Sequence, residues 1–276
     1  DGIRQPVGMH GFRLEVEAHI ITASASTTEN LRKCVSMAGI EVSQFVLSPL
    51  ASAEAVLSET ERTMGAAVVD LGGGTTDLAI YLNGDVWYTN VINIGSNYIT
   101  TDIAQGLRLP VDVAEEVKLH HGYAVLDEIS EEESFNVVPF SAEESTKVLR
   151  RDLVNIIEAR AEEILSLVHQ EIKRSGVSGL LPAGLILTGG GSQLPGMRKL
   201  ATQVTGLPAR IAKPEKMVGL TDQISTPAFS TSVGLLQWAI LMSETYQIGS
   251  ERPGKGKRSE SERTETFASW FKKLLP

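Results

Sequence analysis

This chain has a single cysteine, Cys34, so no internal disulfide can staple it, and that usage fits a reducing compartment. Cys34 lies in LRKCVSMAGI, an amphipathic stretch in which packing, rather than nucleophilic catalysis, is its expected role. No apolar run approaches the roughly 20 residues of a membrane-spanning helix. The first residues, DGIRQPVGMHG, lack an initial methionine and signal-peptide character, and read as a fragment missing its true N-terminus. Positive charge is also scarce. The formal net charge is −9, which argues against general nucleic-acid binding. What basic charge there is gathers at the end: Ser250 to Pro276 holds seven Lys/Arg against four Asp/Glu, a net +3, so the remaining body carries −12. With 42% hydrophobic and 21% charged residues over 276 positions, the composition is that of a globular protein long enough for two core-forming units.

The most informative stretch present is VVDLGGGTTDLAIY, from Val68 to Tyr81. It reads as a buried strand ending in an acid, a three-glycine turn, two hydroxyls and a second strand. Gly72, Gly73 and Gly74 allow backbone N–H groups to approach an anion closely. Thr75 and Thr76 supply further donors, and Asp70 and Asp77 are candidates to hold a metal ion, directly or through its waters. Taken alone, the same letters also describe a hairpin with a glycine-rich turn. A second stretch, GLILTGGGSQLPG, repeats the pattern with Gly189, Gly190, Gly191 and Ser192. Two strand–GGG–hydroxyl loops separated by a helical insertion favour a shared ligand. A helix is expected from Pro195, with its N-terminal N–H groups behind the second loop.

Around these loops, residues 11–22 alternate as a strand, and Thr27 or Thr28 is a candidate cap for a helix to about Ala38. VSQFVLS (42–48) reads as a strand, with Pro49 opening a helix near Leu50. Residues 66–94 read as three strands, the last two joined at Asn83-Gly84. TTDIAQGLRL and DVAEEVKLHHG look helical, FNVVPF is a short strand, and a long helix is expected from about Ser145 to Arg174 with Ile156, Ile157, Ile164, Leu165, Leu167 and Val168 as its apolar stripe. A final helix spans 227–242. Residues 244–265 read as a flexible linker. Beyond it, Phe267, Trp270, Phe271, Leu274 and Leu275 form one apolar helical face flanked by Lys272 and Lys273, a composition suited to lying in an anionic membrane interface. The competing reading docks that helix on the protein's own core, but the long polar linker would tie it down poorly.

These residues resemble the actin and heat-shock-chaperone ATPase superfamily, where the first loop is the phosphate-2 motif and the second the adenosine motif. AEEVKLHHG (114–122) matches the helix whose acid and base hold the ribose and adenine; by position these are Glu115 and Lys118. Without the loops, an i,i+3 Glu/Lys pair would be read as a solvated helix face. Within the superfamily the chain is most similar to the FtsA family of bacterial cell division. PVG…G, EAHIIT, LASAEAVL, VVDLGGGTTDLAIY, NIGSNYITTDIA, AEEVK…HG, LTGGGSQLPG and STSVGLL carry the match over nearly the whole chain.

The resemblance implies an α/β, actin-like (ribonuclease H-like) fold, incomplete at the N-terminus, with a C-terminal amphipathic helix. It assigns 1–22 to the end of subdomain IC, 23–65 to IA, 66–107 and 178–243 to IIA, and 108–177 to IIB, followed by the linker and a membrane-targeting helix at 266–276. It implies ATP and Mg2+ as ligands, self-association into filaments on anionic lipids at the cytoplasmic face of the inner membrane, and capture of the C-terminal peptide of FtsZ, the tubulin-like division protein, through IIB. For that last role Arg160 is the candidate residue; as a helix residue it is also a natural partner for Glu163 or Glu158. Two features depart from the pattern. The superfamily's first phosphate loop is absent, so nucleotide affinity is expected to fall. Ser48 stands before Pro49 where hydrolysing relatives carry a glutamate, and a serine is no general base near neutral pH, so hydrolysis is expected to be slow or absent. The alternatives are a sugar or acetate kinase of the same superfamily, which would need the missing acid, and a pilus-assembly relative, which would not be expected to carry the tail.

Overall fold

The computed structural model describes residues 8–16, 18–140, 144–215 and 224–250. The chain divides into two compact units, Asp1–Trp238 and Ala239–Pro276.

The first unit is built on a five-stranded sheet of order β3-β2-β1-β6-β7. Its strands are β1 (Ala66–Leu71), β2 (Thr76–Leu82), β3 (Asp85–Ile92), β6 (Leu185–Thr188) and β7 (Ala209–Ile211). The first three form the expected antiparallel meander, turned at Asn83 (φ 56°) and Gly84 (φ 91°). β6 then returns parallel to β1 with Asp70 opposite Thr188, and β7 lies parallel to β6.

The alternation of β1 sorts its side chains onto two faces. Ala67, Val69 and Leu71 join Leu78, Ile80, Leu185 and Leu187 in a large core. That core is covered by α4 (Ser96–Leu107), α5 (Val111–His121), α6 (Arg150–Arg174) and α7 (Met197–Thr205). Ala66 and Val68 face the other way, into a smaller core closed by α2 (Ser48–Val56) and by Val233 of α8 (Ser230–Ser250). Gly234 lets α8 lie directly on α2: a Cβ there would stand 1.7 Å from the Ala51 carbonyl oxygen.

Several expected elements shift. The strands expected at 11–22 and 42–48 do not form among the described residues, and Phe12, Leu14, Val16 and Ile20 are exposed. A strand needs a neighbour to satisfy its backbone, and alternation alone supplies none. α1 (Ala25–Met37) is capped by Ser24, whose Oγ accepts from the Thr27 N–H, rather than by Thr27 or Thr28, and it has no buried residue. α3 (Glu59–Met64) was not expected, although Ser58 and Glu61 form a reciprocal capping box. The long helix starts at Arg150, not near Ser145, because β5 (Thr146–Leu149) pairs antiparallel with β4 (Ser134–Val137). The expected final helix runs on through Ser250 into the region read as linker, since no proline intervenes before Pro253. The tail at 266–276 lies outside the described residues.

Candidate nucleotide-binding site

Parallel pairing is what gathers the site. Because Asp70 and Thr188 sit opposite one another at the ends of β1 and β6, both glycine loops leave the sheet at the same edge. In open α/β sheets ligands bind outside the carboxyl ends of such strands. Contact between the loops is direct. Gly189, at φ +82°, leaves no room for a side chain, since a Cβ there would lie 2.3 Å from Asp70 Oδ1 and 2.6 Å from the Leu71 carbonyl oxygen.

The first loop is held through its carbonyls. Ser96 N–H and Oγ both donate to the Gly72 oxygen, at 2.9 and 3.1 Å, and Asn97 N–H donates to the Gly73 oxygen at 2.9 Å. Gly95 permits this approach, because a Cβ there would meet Gly73 O at 2.4 Å. Gly74 faces open space. The two threonines divide. Thr76 is buried and donates to the Ile94 carbonyl at 2.7 Å, so its hydroxyl is turned into the fold. Thr75 is half-buried and hydrogen-bonds the Asp77 carboxylate.

In the second loop Gly190–Gln193 is a single 3-10 turn, and the regular helix starts only at Met197, after Gly196. The helix expected from Pro195 therefore begins two residues later, and the 3-10 turn is what directly follows Gly189. Ser192 is buried and its hydroxyl donates to the Gly189 carbonyl at 2.7 Å, bracing the turn. The Gly189 N–H donates to the Pro227 carbonyl at 3.1 Å, and Thr188 Oγ1 lies 2.6 Å from Ser230 Oγ.

Asp70 and Asp77 face each other in register across β1 and β2, and both are buried. Asp70 Oδ2 accepts from Ser52 of α2 at 2.5 Å and from Thr231 of α8 at 2.9 Å. These two hydroxyls, 18 and 161 residues from Asp70, carry no signal in the sequence. Asp77 is treated differently. Its buried Oδ1 has no hydrogen-bond partner. Burial, and then the neighbouring Asp70 charge, push its carboxyl up to about 6 against the Thr75 hydrogen bond. An orphaned carboxylate oxygen beside a second acid suits a hydrated divalent cation. Among the described residues no group of three or more His, Cys, Asp or Glu forms a complete metal cage, so much of the coordination shell would come from water and phosphate.

Glu115 and Lys118 sit on α5 as a fixed pair rather than a solvated face. Lys118 is buried; its Nζ lies 2.7 Å from Glu115 Oε2 and donates to Thr100 Oγ1 at 2.8 Å, while Thr100 donates to Glu115 Oε2 at 2.5 Å. Burial alone would raise the Glu115 carboxyl, but the bonds from Lys118 and Thr100 and the Lys118 charge hold it below its usual value. Thr100 was not expected; it stands 15 and 18 residues from its partners. Arg160 lies elsewhere, on α6. Its Nε and Nη2 grip Asp102 of α4 at 2.6 and 3.1 Å, Nη1 pairs with Glu163, and the guanidinium stands 5.7 Å from the Tyr98 ring centre. Glu158 instead accepts from the Leu126 N–H.

Comparison with solved structures defines the class. The chain superposes on MreB5 of Spiroplasma citri bound to ADP with a TM-score of 0.68 at 21% identity, covering 82% of this chain and 68% of that one. It superposes on the MamK double helical filament with a TM-score of 0.56 at 18% identity, covering 79% and 66%. The fold is actin-like. A family model described as "Cell division protein FtsA" matches residues 67–234. Curated relatives named Cell division protein FtsA are 42% identical in Neisseria meningitidis, over 86% of this chain and 58% of the relative, and 36% identical in Escherichia coli K12, over 99% and 65%. This chain belongs to the FtsA family of cell division proteins. It spans 58% and 65% of the lengths of these two relatives.

Proposed function

We propose that this chain supplies the nucleotide-binding and partner-binding parts of an actin-like division adaptor, which self-associates and anchors FtsZ to the membrane at the septum. The observation that carries the nucleotide reading is the convergence of the two glycine loops, beside the Asp70/Asp77 pair, at the end of two parallel strands. Backbone amides at Gly73, Gly74 and Gly190 suit phosphate oxygens, and Lys118 and Glu115, held by Thr100, suit ribose hydroxyls. Asp70 and Asp77 would hold Mg2+ through its waters, and the ion would offset the charge of the phosphates. MreB5, with the same fold, has been solved bound to ADP and, in a second structure, to AMPPNP.

On this reading residues 66–107 and 178–243 are subdomain IIA and 108–177 are IIB, and the peptide of FtsZ meets the Arg160 surface of IIB. The tail, with Phe267, Trp270 and Phe271 at its core, attaches the polymer to anionic lipid; one short helix binds weakly and many act by avidity. Binding rather than turnover is the expected use of ATP, because Ser48 is an exposed hydroxyl at the start of α2 with no carboxylate in its place. Calorimetric titration with Mg-ATP tests this directly. Binding that Asp70→Asn weakens, with turnover below ~1 s⁻¹, is the expected result. Absence of binding refutes the nucleotide reading, and fast turnover refutes the adaptor one.

A further inference from the structure

One helix, α4, touches the first glycine loop, the Glu115/Lys118 pair and Arg160. The first turn of α4 holds the phosphate loop: Ser96 and Asn97 donate to the carbonyls of Gly72 and Gly73. One turn further, Thr100 is buried between Glu115 and Lys118. Two residues on, Asp102 grips Arg160 in a bidentate pair. From Asn97 to Asp102 the rise is only about 7.5 Å. A stiff rod therefore joins the loop, the Glu115/Lys118 pair and the Arg160 surface.

The loop is suited to pulling on that rod. A peptide unit is planar, so the Gly72 carbonyl shares its plane with the Gly73 N–H, and the Gly73 carbonyl with the Gly74 N–H. An anion taken by those amides tilts the same planes whose oxygens hold α4. At the far end, the Asp102–Arg160 pair already has its two bonds at 2.6 and 3.1 Å. Such fork geometry tolerates little displacement, so movement of α4 can only loosen it. A loosened guanidinium is available to an acidic peptide, for which Asp102 and Glu163 are otherwise the competitors.

We propose that α4 couples the nucleotide loop to the Arg160 surface, with Thr100 and Asp102 as positioning residues, so that occupancy of the loop strengthens binding of an acidic peptide at Arg160. This rests on the function proposed above, with the C-terminal peptide of FtsZ as the peptide. Linkage makes the effect reciprocal: the factor by which nucleotide tightens peptide binding equals the factor by which peptide tightens nucleotide binding.

The experiment is a four-way titration of the full chain with Mg-AMPPNP and the FtsZ C-terminal peptide, each alone and each with the other saturating. The expected coupling is at least about fivefold in both directions. In Asp102→Asn, peptide affinity without nucleotide and AMPPNP affinity without peptide both rise toward the values the parent shows with the other ligand bound, and coupling falls below about twofold. Asp102→Glu, which keeps the carboxylate, restores part of the coupling. A merely structural role for Asp102 would lower thermal stability without abolishing coupling. As a readout needing no variant, hydrogen exchange at Gly72 to Thr75 in the parent chain should slow when peptide is added. Independent binding of both ligands, coupling unchanged in Asp102→Asn, or unaltered exchange in the loop overturns the coupling and leaves the proposed function standing. Failure of the parent to bind either ligand overturns the proposed function, and this inference with it.

Discussion

At residue scale, the site is defined by what certain positions cannot accommodate. Gly189 combines a left-handed φ of +82° with contact against Asp70 Oδ1 and Leu71 O. A methyl there must displace either the carboxylate or the turn. Gly189→Ala should cost about 1–3 kcal/mol from overpacking and strain, read from urea denaturation, and should weaken Mg-ATP binding by displacing Asp70. Asp77 predicts a pH signature. Its carboxyl titrates near 3.8 when unperturbed and is pushed up to about 6 in the fold, chiefly by burial. Between those values the unfolded chain has released its proton while the folded chain keeps it. Stability from this group is therefore fully present below about pH 4, declines as pH rises toward 6, and is flat beyond. Asp77→Asn should abolish that decline, which denaturation curves across pH 4 to 7 will show as the variant gaining stability relative to the parent as pH rises. Mg2+ binding should move the other way, strengthening as Asp77 ionises.

At the scale of elements, α6 is the beam of the larger core. Leu153, Val154, Ile157, Ala161, Ile164, Leu165, Val168 and Ile172 are buried along it, a spacing set by the helical period. Leu165→Ala should cost about 2–5 kcal/mol by opening a cavity, measurable as a lowered urea midpoint with an unchanged slope. Of the expected stripe, Ile157, Ile164, Leu165 and Val168 are buried while Ile156 and Leu167 are half-buried, and the helix's start was not legible in the letters. Thr146–Leu149 became a strand because Ser134–Val137 lay opposite to pair with it, and partners 9 to 15 residues away leave no local trace. The capping box at Ser58 and Glu61, by contrast, was written in the sequence as S-x-x-E before a short helix. Thr100 shows the limit clearly. Nothing in NYITTDIA separates Thr100 from Thr101, yet one is buried in the site and the other donates to its own helix backbone at Asn97.

At the scale of the whole molecule, the exposed apolar residues of 8–22, and α1 with nothing buried, stand beside two well-filled cores. The sheet and its helices complete themselves, while the N-terminal segment does not. The opposite end carries the attachment proposed above. Changing Trp270 and Phe271 together to Asp should release the chain from vesicles containing anionic phospholipid, read as loss of co-sedimentation. Among the described residues no helix is long and apolar enough to cross a membrane.

The sequence by itself determined the chemistry. Two triple-glycine loops, the acids at 70 and 77, the Glu115/Lys118 spacing and the amphipathic period of α6 are local patterns, and local patterns survive as text. Tertiary structure decided which of these groups meet and in what state. Parallel pairing of β1 with β6, whose partners such as Asp70 and Thr188 stand 118 residues apart, brought the loops to one edge. Burial gave Asp77 its raised carboxyl, hydroxyls from two distant helices satisfied Asp70, and α4 tied the loop to Arg160. Those outcomes depend on solvent exclusion and on contacts between remote segments, and neither is a property of any short stretch of letters.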